Sequence, residues 1–301
     1  MAQKIIIYGP TCSGKTNLAD IIAKELDAII INSDSMQLYS EIPIISAQPD
    51  KYSSHHKLFA FLKGDQNFSV ADWRDKAEIL IDQYSLKGRN IVIVGGTGLY
   101  LKALLSGFKQ LPSNTEKQRD EIDNLIKDKS VGYLYDKIIK QDSAYKNILL
   151  ANDLQRVRRV YGLLFMHNIS YQKYKNLPNI SKYSESEFLK IYIKPEREDL
   201  YDKINQRVDA MMQLGAKGEV EKFLQNNYPI NGNIYKAIGI REINQIMGKS
   251  LDESEALELM KKNTRNYAKR QITFFNHQIK SDMVLTSHTD FQVNLLEKTN
   301  V

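Results

Sequence analysis

The sequence predicts an α/β fold: a P-loop parallel sheet flanked by helices, with a helical insertion domain. Three observations predict it. Short apolar runs alternate with helical patterns along most of the chain, the order that gives a parallel sheet with helices on both faces. The first apolar run leads straight into a phosphate-loop motif. Between roughly Pro112 and Ser184 the apolar runs stop, and lysine- and tyrosine-rich helical patterns take over. The 301 residues suffice to bury a full core and to form one large domain or two small ones. The expected division is a core of residues 1–111 and 185–301 and a lid-like insertion of residues 112–184. The alternative is that this stretch is more of the same domain.

The first strand is Lys4-Ile-Ile-Ile-Tyr8. It runs into Gly9-Pro-Thr-Cys-Ser-Gly-Lys-Thr16, which fits G-x-x-x-x-G-K-[ST]. After it, Ala19, Ile22, Ala23 and Leu26 fall on one face of a helix over Asn17 to Leu26. Strand, glycine loop and helix are the context that gives the motif a mechanism. Gly9 and Gly14 let the backbone bend its N–H groups around phosphate oxygens, with Pro10, Thr11, Cys12 and Ser13 between them. The positive end of the helix dipole points at the same place. Lys15 adds a point charge, and Thr16 offers a hydroxyl to Mg²⁺. The ligand therefore carries a di- or triphosphate.

The next strand, Ala28-Ile-Ile-Ile-Asn32, leads into Asn32-Ser-Asp-Ser-Met-Gln37. A carboxylate at this position, Asp34, serves as a general base or helps hold Mg²⁺. As a turn residue or helix N-cap it would be equally at home. A third strand, Ile91-Val-Ile-Val94, runs into Gly95-Gly-Thr-Gly98 and then a helical pattern over Tyr100 to Leu105. No acid ends this strand, which argues against a motor-type or switch-type NTPase. Gly95 and Gly96 allow close approach, and Thr97 can donate to a phosphate oxygen. The fourth strand, Phe188-Leu-Lys-Ile-Tyr-Ile193, ends at Lys194-Pro195, and from Glu198 onward the pattern is helical. Ligands of such sheets bind outside the carboxyl ends of the strands, so Gly9–Thr16, Asn32–Gln37 and Gly95–Thr97 are expected around one crevice.

Composition narrows the function classes. A hydrophobic content of 42% and a charged content of 26% are those of a soluble protein, and no apolar run approaches a membrane span. The first strand begins within a few residues of Met1, so no targeting peptide is expected. The single cysteine, Cys12, excludes an internal disulfide, and no Cys/His metal cluster exists. A cytoplasmic, monomeric protein is expected. The net charge of +6 points toward a polyanionic partner. In Asp153-Leu-Gln-Arg-Val-Arg-Arg-Val160, Leu154, Val157 and Tyr161 make an apolar face opposite Arg156 and Arg159, with Arg158 adjacent. Lys261, Arg265 and Lys269 recur at helical spacing. Such stripes neutralise phosphates along a nucleic-acid backbone, or they are solvated helix faces. His55 and His56 are adjacent, so their side chains diverge and do not chelate one metal; they read as structural or substrate-lining.

Together these motifs resemble one family, the tRNA dimethylallyltransferases. The resemblance rests on the P-loop, on Asn32 to Gln37, Phe68-Ser-Val-Ala-Asp72, Val94-Gly-Gly-Thr-Gly-Leu-Tyr-Leu-Lys-Ala103, Asn152-Asp-Leu-Gln-Arg156 and Tyr267-Ala-Lys-Arg-Gln271. They occur in the family's order and span nearly the whole chain. The resemblance implies that the P-loop holds the diphosphate of dimethylallyl diphosphate. It implies Asp34 as the group that accepts or orients the N6 proton of an adenosine, and Thr16 as a ligand of the Mg²⁺ cofactor. Lys15, Thr97 and Arg207 would stabilise the departing pyrophosphate. The acceptor would be the base 3′ of the anticodon in the tRNA anticodon loop, extruded into a pocket. The tRNA contacts it implies are Asp34, Ser35, Met36, Gln37, Thr97, Arg119, Gln155, Arg156, Val157, Arg158, Arg159, and Lys236 to Arg241. Two departures stand out. Ile45-Ser-Ala-Gln-Pro49 replaces the family's Gly-Thr-Ala-Lys-Pro run, and Ser54 replaces the proline of a Pro-His-His element.

Three other classes share some of these features. A small-molecule kinase would have the P-loop, an Asp base and a mobile lid, but would need ATP. An isopentenyltransferase acting on free adenine nucleotide would not need two basic helices. A nucleic-acid-binding module would not need Asp34 and Thr97 to converge on the phosphate site.

Overall fold

The computed structural model describes residues 2–49, 52–230 and 232–291. The chain divides into two compact units, Met1–Leu105 with Lys182–Val301, and Ser106–Ser181.

The larger unit is built on six parallel strands: β1 (Lys4–Tyr8), β2 (Ile29–Asn32), β3 (His56–Lys57), β4 (Ile91–Gly95), β7 (Leu189–Ile193) and β8 (Met283–Leu285). Their order across the sheet is β3-β2-β4-β1-β7-β8. β1 thus lies between β4 and β7, with Tyr8 level with both Gly95 and Tyr192. The isoleucine-rich strands follow from having both faces covered. Ile6, Tyr8, Ile31 and Ile93 face one side, together with Trp73 and Ile81 of α3 (Val70–Ser85), Leu101 of α4 (Gly98–Leu105) and Phe275 of α12 (Glu253–Gln278). Ile5, Ile7, Ile30 and Val94 face the other, against Leu18, Ala19 and Ile22 of α1 (Lys15–Glu25). Burying each such isoleucine contributes roughly 1.5–3 kcal/mol.

The remaining helices of this unit are α2 (Pro43–Ser46), α9 (Arg197–Gln213), α10 (Ala216–Gln225) and α11 (Ile240–Met247). The Phe68–Asp72 motif is a capping box for α3. Ser69 Oγ accepts from Asp72 N at 3.2 Å, and Asp72 Oδ2 accepts from Ser69 N at 2.8 Å.

The smaller unit packs α5 (Glu116–Lys129), α6 (Val131–Gln141), α7 (Leu154–Tyr161) and α8 (Tyr171–Asn176) around Ile122, Leu134, Ile138 and Val157. A two-residue antiparallel pair, β5 (Phe108–Lys109) with β6 (Asn179–Ile180), closes its ends.

The four apolar runs are strands, as expected. β3, β5, β6 and β8 were not foreseen. Two- and three-residue edge strands bury too little to leave a pattern: only Leu285 of β8 is buried, and Val284 is 55% exposed. Among the described residues, no helix is long and apolar enough to cross a membrane.

Candidate active site

The carboxyl ends of β1 and β2 open onto a cavity of about 770 Å³ within the larger unit. Its P-loop wall is Thr11, Cys12, Gly14, Lys15 and Thr16. Cys12 and Gly14 both adopt left-handed backbone, at φ 62° and 85°, which turns the chain into α1. A side chain at Gly14 would also collide with His288, whose Nδ1 lies 2.6 Å from where a Cβ would sit. The first turn of α1 leaves backbone N–H groups without helical partners, and Gly14, Lys15 and Thr16 border the cavity with them. Lys15 Nζ donates to the Pro10 carbonyl at 3.0 Å. Burial holds the Lys15 pKa below its ordinary value, with the Asp34 carboxylate pulling the other way. Such an ammonium gains most from an incoming anion.

Arg207 comes from the middle of α9 and reaches the loop. Its Nη1 donates to Thr11 Oγ1 at 2.7 Å and to Cys12 Sγ at 3.6 Å, and its Nη2 to the Ile45 carbonyl at 3.3 Å. Its Nε is buried and has no hydrogen-bond partner among the described residues, and neither does Ser13 Oγ. Orphaned donors beside a bent N–H loop fit the oxygens of a diphosphate. For Mg²⁺ the fit is narrower. No group of three His, Cys, Asp or Glu side chains among the described residues can hold a metal. Mg²⁺ commonly takes one or two protein ligands and completes its shell with phosphate oxygens and water. The Thr16 hydroxyl, bordering the same cavity, suits that role.

Asp34 stands opposite, held by Asn32. Asn32 Nδ2 donates to the carbonyls of Asp34 and Leu58 at 3.0 and 2.9 Å, and its Oδ1 accepts from Asp34 N at 2.8 Å. Trp73 Nε1 in turn donates to the Asn32 carbonyl at 2.8 Å. Asp34 Oδ1 accepts from Met36 N at 3.0 Å, an Asx turn. Its Oδ2 makes no hydrogen bond among the described residues, and the residue borders the cavity. Asp34 is therefore both a turn residue and a carboxylate with one oxygen to spare. Ser35, Met36, Gln37, Gln48 and Lys236 border the same space. Gln48, where the family has lysine, donates from Nε2 to the Tyr39 carbonyl at 2.7 Å and accepts from the Tyr52 hydroxyl.

Gly9, Pro10, Ser13 and Thr97 stand behind this lining. Thr97 Oγ1 accepts from Ser35 N at 2.9 Å and donates to Ser35 Oγ at 3.2 Å. It supports the Asp34 loop, where a phosphate contact was expected. Arg241 is exposed on α11. In the helical unit, Arg119, Gln155, Arg156 and Arg159 are exposed and Arg158 is half-buried beside Asp123. Arg156 pairs with Asp153 at 3.5 Å, and Arg159 donates to the Pro112 carbonyl at 3.0 Å. Val157 is fully buried in that unit's core. Its expected contact with RNA is corrected: it faces inward at the helical spacing that buries Tyr161. The α12 stripe is corrected too. Lys261 pairs with Asp209 and Glu258 at 2.9 and 3.1 Å, and Arg265 donates to Asn205 at 2.6 Å. Lys269 lies over the Tyr201 ring. These groups dock α12 on α9. His56 meets Asp20 at 3.3 Å, and His55 beside it is half-buried.

Asn32, Tyr267 and Gln271 carried no role in the sequence reading. All three sit in recognisable motifs, but only their neighbours reveal what they hold.

Fold and cavity define an α/β protein in which a P-loop sequence and a carboxylate border one space. Residues 37–278 match the sequence model of a family described as IPP transferase. A tRNA dimethylallyltransferase of Rickettsia bellii is 37% identical over 284 residues, 93% of this chain and 90% of the relative. One from Pelagibacter ubique is 36% identical over 273 residues, 90% of this chain and 87% of the relative. The chain belongs to the IPP transferase family and is an enzyme of this type. Among solved structures, the tRNA isopentenylpyrophosphate transferase of Bacillus halodurans gives a TM-score of 0.68 at 29% identity, covering 98% of this chain and 93% of that one. A eukaryotic dimethylallyltransferase acting on tRNA shares the fold at a TM-score of 0.81 and 24% identity, covering 99% of this chain and 77% of that one.

Proposed function

We propose that the protein transfers a dimethylallyl group from dimethylallyl diphosphate to N6 of the adenosine 3′-adjacent to the anticodon of tRNA, releasing diphosphate. The observation that carries this reading is one cavity bordered by both a phosphate cradle and a carboxylate, Lys15, Thr16 and Arg207 with Asp34, in a chain whose relatives bear this activity in their names.

The N6 lone pair forms a bond to the allylic carbon while the carbon–oxygen bond to diphosphate breaks. The bonding pair leaves with the diphosphate. The extra proton on N6 passes to the free oxygen of Asp34. Lys15, Arg207 and the N–H groups of the P-loop meet the charge that grows on the leaving group, fixed dipoles that need no reorganisation. Thr16 would hold Mg²⁺, which would supply further positive charge there. Thr97 acts on the acceptor side by holding Ser35 and the turn that carries Asp34. Ser35, Met36, Gln37, Lys236 and Arg241 are the proposed RNA contacts of the core. Arg119, Gln155, Arg156, Arg158 and Arg159 are those of the helical unit, where guanidinium groups suit phosphate.

The test is nucleoside mapping. Unmodified tRNA incubated with enzyme, Mg²⁺ and radiolabelled dimethylallyl diphosphate is digested and its labelled nucleoside sequenced in place. Label on N6 of the adenosine next to the anticodon is expected. Label elsewhere on the tRNA, or only on added AMP, contradicts the proposed acceptor.

A further inference from the structure

The face that α12 turns toward the sheet carries one buried amide, Gln271, only 5% exposed. Both ends of it are used. Its Oε1 accepts from the backbone N–H of Thr11 in the P-loop at 2.8 Å. Its Nε2 donates to the carbonyl of Gly96 at 2.9 Å. These partners fix the orientation of the amide, because the reverse would set N–H against N–H and oxygen against oxygen. The fit is close: a Cβ on Gly96 would lie 2.4 Å from Gln271 Nε2. One turn earlier on the same helix, Tyr267 borders the cavity.

What this amide joins matters more than that it is satisfied. The ladder between β1 and β4 ends at Tyr8 and Gly95. Beyond it, no backbone hydrogen bond among the described residues connects the two loops. One side of the gap is Thr11, whose hydroxyl receives Arg207. The other is Gly96, followed by Thr97, which holds the N–H of Ser35 next to Asp34. We propose that Gln271 is a positioning residue that sets the spacing between the diphosphate cradle and the Asp34 loop. It touches neither substrate. It acts through Thr11 on the leaving-group side and through Gly96 and Thr97 on the acceptor side. The inference rests on the transfer reaction proposed above, in which leaving group and base must be held in register across the attacked carbon.

Glutamine is required because the gap needs one acceptor and one donor of a given length. An ionised glutamate offers two acceptors and would turn one against the Gly96 carbonyl. A protonated glutamate restores acceptor and donor at nearly the same size, and burial raises the pH at which it forms. The test compares Gln271→Glu and Gln271→Met with wild type, varying each substrate separately across pH. Gln271→Met should lose about 10- to 100-fold in kcat, the scale of small misplacements, with the KM for tRNA changed less than about threefold. It should also bind inorganic diphosphate roughly tenfold more weakly, because Thr11 is released. Gln271→Glu should be as impaired at pH 8, and its kcat relative to wild type should climb as pH falls. A defect in Gln271→Glu that is independent of pH overturns the proposal, as does a Gln271→Met kcat within twofold of wild type. If Gln271→Met does not fold, the Gln271→Glu pH profile decides alone. A wild-type enzyme inactive on tRNA would defeat the reaction and leave the clamp decidable. Equal diphosphate affinity in wild type and Gln271→Glu at pH 8 would then overturn it, and weaker binding that recovers at lower pH would support it.

Discussion

Two glycine loops close the carboxyl ends of the central strands, and they differ in whether they border the cavity. After β1, Gly14 turns the chain into α1, and the loop borders an open cavity. At the end of β4, Gly95 and Gly96 are packed against protein and do not border that cavity. A Cβ on Gly95 would lie 2.3 Å from the carbonyl carbon of Ser33, and one on Gly96 would strike Gln271. The first loop presents Lys15 to the cavity. The second is filled, and its Thr97 holds the segment that carries Asp34. A glycine-rich run at a strand end therefore marks close approach, and the surroundings decide what approaches.

Substitutions on either side of this contrast should separate the two roles. The largest effect is expected at Asp34. Asp34→Ala should cost about 10²- to 10⁴-fold in turnover, the range for a lost general base, with tRNA affinity in a filter-binding assay nearly unchanged. Lost affinity with turnover intact at saturating tRNA would remove Asp34 from the base role.

Next is Lys15 in the open loop. Lys15→Met should lose about 10²- to 10³-fold in kcat, yet the ligand-free protein should melt higher than wild type at neutral pH. Burial lowers the folded pKa of Lys15 below its unfolded value, so the unfolded chain binds more protons between the two. Wild-type stability then rises with pH across that window, and the gap to Lys15→Met closes toward the ordinary lysine range. Thermal melts at several pH values check the sign.

In the filled loop, Gly96→Ala should act through packing. It should destabilise by about 1–3 kcal/mol and reduce kcat, as read from denaturant unfolding and steady-state rates. Unchanged stability would mean that the second loop is as open as the first.

The smallest effect is expected far from both loops. Lys4 and Glu187 pair at 2.6 Å, and that hydrogen bond holds the Glu187 carboxyl below its ordinary range. Glu187→Gln should cost at most about 1 kcal/mol after solvent screening. That contribution is present above the ordinary glutamate range and is lost as pH falls through the lowered pKa. Activity should be unchanged.

The central sheet was legible because its strands are covered on both faces and so read as unbroken apolar runs. The edge strands at His56–Lys57 and Met283–Leu285 were not, because two or three residues, mostly half-buried, leave no apolar run. The P-loop was legible from spacing within eight residues. Arg207 came from resemblance alone, since its partner Thr11 lies 196 residues away in sequence. The α12 stripe misled for the same reason: Lys261 is answered by Asp209 of another helix. Gln271 was visible as part of a motif, but its purpose needed Thr11 and Gly96 in place beside it.

The central claim is that this P-loop holds a leaving group and hydrolyses no nucleotide. The direct measurement is label transfer from radiolabelled dimethylallyl diphosphate to unmodified tRNA, with Mg²⁺ and without ATP, quantifying diphosphate released. One diphosphate per labelled tRNA, unaffected by added ATP, is the predicted result. Transfer that requires ATP, or ATP consumption with no label on tRNA, would contradict it.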